Sequence, residues 1–409
     1  MRTIALFTFL TLASSGFAAE ATLTESPAER SIRKAQEQIE KTPDHVPYHN
    51  SLAMAYARRA RETSDVAFYK KAEDTLTRAL ELSPGNFESQ KVQVWLMLGR
   101  HEFAHAAEAA KALNKQTPDD LTVYGYLADA NAELGNYAAA IDAAQWMLNL
   151  RPGNIPGLTR AAYLRELHGD VSGAIDLMQR AYNATPFQEV EDRAWLLTQV
   201  AHLHLLSGNL EQSESYATGA LDLFPGYHYA LGTLAQVREA QHRFDDAVAL
   251  EEQRYKASPH AENLYALAMA LSLSGRTEAA QNAFANFEKA ALAESSSTDN
   301  ANHELVAYYN DVAGQPEKAL LIATAELDRR HDIFTRDAMA WSLSQLGRYE
   351  EAEAGMRQAL ATGVSDARLL YHAGAIQQHL GNRTEAERLL RAAALHHSPE
   401  ATAALSVMR

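Results

Sequence analysis

The chain contains no cysteine in 409 residues. That excludes disulfides, a lipidated cysteine anchor and thiol catalysis, and it suits an oxidising compartment where a stray thiol is a liability. Beyond the N-terminus no apolar run reaches the length needed to span a bilayer, so no membrane insertion of the mature chain is expected. No glycine-rich phosphate loop, serine elbow or dinucleotide fingerprint is present. Positive charge is in short supply: 37 Lys and Arg face 52 Asp and Glu, a formal charge of -15. Such a balance opposes loose binding to nucleic acid or to an acidic membrane. Glycine (20) and proline (12) are few enough for their positions to carry information.

Residues 1–18 read as a secretory signal peptide. Arg2 precedes the apolar run IALFTFLTLA and the small-residue end SSGFAA, with cleavage expected after Ala18 and Ala21 as the next candidate. The run is short for an anchor. Export across the inner membrane to the periplasm of a bacterium is the expected localisation.

Glycine then counts out a repeat. Gly135, Gly169, Gly208, Gly275, Gly314, Gly347 and Gly381 occupy equivalent places, with His242 standing in for one, at steps of 34, 39, 34, 33, 39, 33 and 34 residues. A period in this range signals a helical solenoid. Five residues after each counter stands a small side chain (Ala140, Ala174, Ser213, Ala247, Ala280, Ala319, Ala352, Ala386), and seven before it another (Ala128, Ala162, Ala201, Ala235, Ala268, Ala307, Ala340, Gly374). Small residues there let two helix backbones approach closely. Prolines such as Pro84, Pro118, Pro152, Pro225 and Pro259 close units, since proline lacks the N–H that would continue a helix.

This pattern, shown in full by LGRYEEAEAGMRQAL at residues 346–360, resembles the tetratricopeptide repeat (TPR). The resemblance implies an all-α, right-handed superhelical solenoid of about ten helix-turn-helix units whose inner face holds a peptide or partner protein. The expected layout is a signal peptide (1–18), an N-terminal segment and capping helix (19–46), two irregular repeats with an insertion in the first (47–120), eight regular repeats (121–400) and a C-terminal tail (401–409). Two five-residue excesses fall at 188–193, where a helix start can lengthen, and at 295–300, where the polar composition suggests a loop.

Family positions that face the groove correspond here to Tyr163, Trp195, His202, Tyr229, Tyr265, Tyr308, Phe334, Trp341 and Tyr371. Aromatic side chains with a polar tip are efficient binding residues, but each of these can equally pack against the next unit. The basic clamp by which some family members hold a terminal carboxylate is missing: the corresponding fifth positions are Gly125, Thr159, Thr198, Gly232, Tyr265, Glu304, Asp337 and Tyr371.

Three readings of function follow. The leading one is an exported, non-enzymatic scaffold or adaptor without cofactor or metal, binding a protein or peptide in its groove. The second is a zinc hydrolase built on His101, Glu102 and His105, which satisfy H-E-x-x-H. Aligning Phe103 and Ala106 with the repeat puts His101 in a turn, which counts against a shared helical face. The third is an assembly subunit of an envelope complex, joined through an apolar face around Leu389, Leu390 and Leu395. The Arg58, Arg59 and Arg61 cluster reads as a solvated turn balanced by Glu62 and Asp65, or as a contact for an acidic partner.

Overall fold

The computed structural model describes residues 25–408 apart from 64, 66, 297–299 and 397. The expected signal peptide lies outside the described residues. Among those described, the chain forms helices only. A first helix α1 (Pro27–Lys41) is followed by antiparallel pairs: α2 (Val46–Thr63) with α3 (Ala67–Leu82), α4 (Phe87–Gly99) with α5 (Phe103–Gln116), α6 (Leu121–Glu133) with α7 (Tyr137–Leu150), α8 (Ile155–Leu167) with α9 (Val171–Ala184), and α10 (Val190–Leu206) with α11 (Leu210–Leu223). The stack continues with α12 (His228–Ala240) and α13 (Phe244–Ala257), α14 (Ala261–Leu273) and α15 (Thr277–Glu294), α16 (Asn302–Ala307) and α17 (Pro316–Leu327), α18 (Ile333–Gln345) and α19 (Tyr349–Ala359), and α20 (Ala367–His379) and α21 (Arg383–Leu395), ending in α22 (Pro399–Met408).

The counter residue directly follows the helix C-cap and lies in the left-handed region. Gly135, Gly169, Gly347 and Gly381 have φ between 71° and 79°. His242 takes the same conformation at φ 58°, and so does His101 at φ 57°, which makes His101 one more counter, 34 residues before Gly135. After it, one amide closes the turn onto a carbonyl five residues back: Asn136 to Asn131 at 2.8 Å, Arg243 to Arg238 at 2.8 Å, Arg348 to Leu343 at 3.0 Å. This satisfies a carbonyl that the helix end leaves unpaired.

The expected small positions are where the helices touch. Ala140, Ala174, Ser213, Ala247, Ala319, Ala352 and Ala386 are fully buried, as are Ala162, Ala201, Ala235, Ala268 and Ala340. Ala307 is only half-buried. It directly precedes a π-helical turn, Tyr308–Val312, which absorbs an extra residue and re-aims the end of that first helix.

The terminal expectations divide. The capping helix runs over Pro27–Lys41 with Ser26 and Glu29 forming a capping box. The expected tail is instead mostly α22, with Ala401 fully buried. It covers Leu389 and Leu390, which are 3% and 0% exposed, and leaves Leu395 at 78%. The apolar face expected of the last helix is therefore largely occupied within the chain.

The two lengthened helices meet. The α2 insertion adds turns at its C-terminal end, and the excess at 188–193 lengthens α10 at its start. Arg58 donates to Glu189 at 3.2 Å; Arg61 donates to Glu191 and to Asp192, the latter at 2.8 Å. Glu191 is fully buried and also accepts from the Tyr227 hydroxyl at 2.9 Å. The basic cluster is thus paired across about 130 positions of sequence, and Arg59 binds Glu62 at 3.0 Å and Glu29 at 2.6 Å. Glu62, one of the two expected partners, is a small part of what holds the cluster.

Contacts at a longer offset, 190 positions or more, follow in the later units. The His331 amide donates to the Glu133 carbonyl at 2.9 Å and the Ile333 amide to the Tyr137 hydroxyl at 2.9 Å. His396 Nδ1 donates to the Leu206 carbonyl at 2.6 Å. The ends of first helices therefore rest on the starts of first helices six units further on. One superhelical turn takes about that many units, and the second turn is seated on the first.

Two counters carry this seam. A Cβ on Gly169 would lie 2.4 Å from the Gly363 carbonyl oxygen, and one on Gly135 2.6 Å from that of His331, whereas Gly347 has nothing within 4 Å. All three need a positive φ, so alanine costs each about 1 kcal/mol in backbone terms. Gly169→Ala should lose about 2 kcal/mol more from the forced separation. Thermal melts of Gly169→Ala and Gly347→Ala check this; equal losses would remove the seam from the account.

Candidate functional site: the enclosed lumen

Seating one turn on the other converts the groove into a lumen lined by first helices. Its cavities share walls. One of about 690 Å³ lies between Ile155, Tyr163, Met178, Trp195 and Arg61. Another of about 340 Å³ joins Phe103, Asp129, Glu133, Arg160 and Tyr163 to Arg330 of the second turn. A third, of about 370 Å³, sets Trp95 and His101 against Tyr229 and Glu262. A fourth, of about 430 Å³, lies between His101 and the second-turn residues Glu304, Asp332 and Phe334.

Polar cross-links run between successive first helices, 30 to 36 residues apart. Arg160 donates to Asp129 at 2.6 Å and to the Gly125 carbonyl at 3.1 Å. His202 Nε2 donates to Glu166 at 3.1 Å, Trp341 Nε1 to Asp311 at 2.7 Å, and His372 Nδ1 to Asp337 at 2.8 Å. Burial opposes a protonated His202, but the Glu166 carboxylate overrides it and holds the imidazole above its ordinary value. Burial also works against ionised Asp337, and the His372 imidazole beside it keeps the carboxyl below its ordinary range. These links occupy much of the inner face and fix the rotation from unit to unit.

The nine expected groove residues therefore separate. Tyr163, Trp195, Tyr229 and Phe334 line cavities. Tyr229 is the most open at 36% and lies against His228 with ring centroids 3.9 Å apart. His202 is engaged with Glu166. Tyr265 packs on Phe287 at 5.0 Å, and Tyr308 on Phe284 at 5.5 Å. Trp341 is 8% exposed and stacked on His372 at 4.1 Å, with Tyr371 at 5.8 Å. Tyr265 thus packs within its own helix pair, and the other three against neighbouring units.

Reading for aromatic residues missed the charged half of the lumen. Arg160, Glu133, Arg330, Glu262 and Glu304 line it too. Glu304 stands at the recurring fifth position, but a search for aromatic side chains passes over it. Burial pushes the His303 imidazole down to about 4, with Arg368 adding to the effect; Arg368 donates to its Nε2 at 2.7 Å.

The H-E-x-x-H stretch is not a metal arrangement. His101 is in the turn with its ring stacked on Phe103 at 5.4 Å, Glu102 accepts from Arg100 at 2.9 Å, and His105 is exposed on α5. The two imidazoles do not share a helix. Among the described residues no group of three His, Cys, Asp or Glu is placed to hold a metal ion.

A family model for the tetratricopeptide repeat matches residues 92–155, and the same helix pair recurs through the described chain. Residues 92–155 carry tetratricopeptide repeats, and the fold is that of a TPR solenoid. This TPR stack is similar to human IFIT1 bound to m7Gppp-AAAA, at 14% identity over 91% of this chain and 96% of that one, TM-score 0.50. It is also similar to Cut9 in the APC/C Cut9–Hcn1 hetero-tetramer, at 13% identity over 93% of this chain and 58% of that one, TM-score 0.47. A thermophilic TPR protein of Thermus thermophilus aligns at 19% identity over 45% of this chain and 98% of its own, TM-score 0.39. The TPR chain thus spans somewhat over half the length of Cut9. None of the curated proteins matches it. No helix among the described residues is long and apolar enough to cross a membrane.

Proposed function

We propose that this protein is an exported, periplasmic, non-enzymatic scaffold that holds a peptide or an extended protein segment in its lumen. The observation that carries the reading is the lumen wall: Tyr163, Trp195, Tyr229 and Phe334 present partly open aromatic surface beside polar groups at spacings set by cross-linked helices. A receptor ordered in advance loses little entropy on binding, so more of the contact energy appears as affinity. The chain's charge of -15 and the carboxylates among its lining residues speak against a polyanion like the capped RNA bound by IFIT1. The N-terminal signal supports export.

Affinity capture from an envelope extract tests this. Wild-type protein is compared with the triple variant Tyr163→Ala, Trp195→Ala, Tyr229→Ala. A partner recovered by the wild type alone is expected, with the bait itself in the periplasmic fraction and lighter by residues 1–18. Equal recovery by both would move the interface outside the lumen, and a bait confined to the cytoplasm would remove the export reading.

A further inference from the structure

The cavity of about 430 Å³ is the acidic part of the lumen. Its wall carries the carboxylates of Glu262, Glu304, Glu326 and Asp332 against one guanidinium, Arg330. Most of these charges are committed. Asp332 caps α18, accepting from the Phe334 and Thr335 amides at 2.9 and 3.1 Å, and takes Arg330 at 2.6 Å. Arg330 is shared with Glu133 at 2.5 Å. Glu326 accepts from Asn302 at 2.7 Å and Arg329 at 3.1 Å, and Glu262 from Arg254 at 3.1 Å. What remains is Glu304: among the described residues its carboxylate takes no side-chain hydrogen bond or ion pair, only the hydrogen bond of its own backbone amide.

Asn302 supplies an independent observation. Its side chain lines the same cavity and the residue is 4% exposed. Both amide hydrogens are used, on the Ser295 carbonyl at 2.9 Å and on Glu326, while Oδ1 has no donor among the described residues. A buried acceptor without a donor costs roughly 1–3 kcal/mol, so such groups ordinarily have a partner. Val306, Ala323, Ala338 and the Phe334 ring complete the wall with apolar surface.

We infer that this cavity receives a lysine or arginine side chain of the segment bound in the lumen, an inference that rests on the lumen-binding reading. The cationic nitrogen donates to Glu304 and to Asn302 Oδ1, and the methylene stem lies along Phe334. Three imidazoles line the same wall, His303, His260 and His101. His303 is neutral at pH 7, its Nε2 already accepting from Arg368, and His260 Nδ1 accepts from the Glu262 amide at 3.4 Å. His101 lies across the seam, stacked on Phe103.

Entry of a cation has a proton signature. Burial pushes Glu304 up to about 8, Glu262 on α14 adds to this, and Arg368 on α20 and Arg254 on α13 pull the other way. At pH 7 the empty cavity therefore holds Glu304 mainly protonated, and an arriving ammonium ionises it and expels the proton.

Calorimetric titration of the full chain decides this, using Ac-Gly-Gly-Lys-Gly-Gly-amide, its norleucine counterpart and free spermidine in two buffers of different ionisation enthalpy. The lysine peptide should bind at least about tenfold more tightly than the norleucine one, as expected of a charge-assisted contact, and release most of one proton at pH 7. Glu304→Gln, which copies the neutral form and so leaves folding intact, should remove both effects. Glu350→Gln at the exposed start of α19 should remove neither. Absence of lysine-peptide binding at millimolar concentration, equal binding of both peptides, unchanged binding in Glu304→Gln, or binding of spermidine alone would overturn the proposal. If the envelope partner is still captured through Tyr163, Trp195 and Tyr229, the lumen reading survives that result. Lysine-peptide binding without any lumen-dependent capture would sink the scaffold reading instead.

Discussion

Arg61→Ala is expected to destabilise the protein by about 3 kcal/mol and to loosen α2 from α10, four units further on. The physical reason lies with its partner. Glu191 is closed off from both solvent and lumen, and its charge is neutralised by Arg61, with Arg58 at 3.7 Å and the Tyr227 hydroxyl giving the remaining support. Burial acts against the charge on Arg61 itself, and Glu191 outweighs it, so the guanidinium is held above its ordinary value. Removing one member of a buried pair leaves the other charged and uncompensated, a loss of about 3–5 kcal/mol. The lower end applies here, because the Arg61 side chain is 39% exposed and water already screens part of the pair. The loss is also spread unusually. In a solenoid each unit ordinarily feels only its neighbours, but this pair couples α2 to α10. Hydrogen exchange should therefore rise both in residues 58–63 and in residues 189–192, and small-angle scattering should report a larger radius of gyration. Adding Glu191→Gln to Arg61→Ala should recover part of the stability, since the orphan charge is gone. Faster exchange confined to α2 would show that the pair does not couple the two helices.

The second large effect is expected at Asp337. Its carboxylate is 1% exposed and accepts from His372, itself 7% exposed in the side chain, and the His372 ring is stacked under Trp341 with only 7° between planes. Asp337→Ala removes the acceptor, strands the imidazole N–H and undermines the stack, for about 3 kcal/mol. Asp337→Asn keeps an acceptor and should cost nearer 1 kcal/mol. Hydrogen exchange across α18 and α20 measures both. Because the folded-state carboxyl is held below its ordinary 3.8, its contribution is complete above that value and disappears as pH falls through the lower folded one. The wild type should thus lose protection in α18 and α20 on acidification below about pH 4, and Asp337→Asn should lack that step. An equal cost for the two variants would mean that packing volume, and not the pair, holds these helices together.

Not all of this was equally visible beforehand. The glycine counters and the small residues around them are legible because they answer to contacts inside one unit, which recur with the period. His242 at a counter position was readable for the same reason; His101 shares its conformation, and that is what dismantles the metal motif. The groove aromatics were half legible. A position says that a side chain starts on the inner face, but whether Tyr265 or Tyr308 reaches the lumen depends on Phe287 and Phe284 beside it. The charged lining was passed over although Glu304 stands at a fifth position of the repeat, because only the folded chain brings Arg330 to the same cavity wall.

By itself, then, the sequence determined an all-α stack of helix pairs, the conformation of its turns, the residues at which helices touch and the places where two helices lengthen. Only the tertiary structure decided that those lengthened helices meet, that six units complete a turn, and that the groove closes into a lumen with an acidic cavity. The reason is geometric. Pairing within a unit is a contact over some 34 residues and is repeated many times, so each copy restates it. The seam depends on small rotations and rises accumulated over six units, to which every cross-link and every insertion contributes, and no local pattern records their sum.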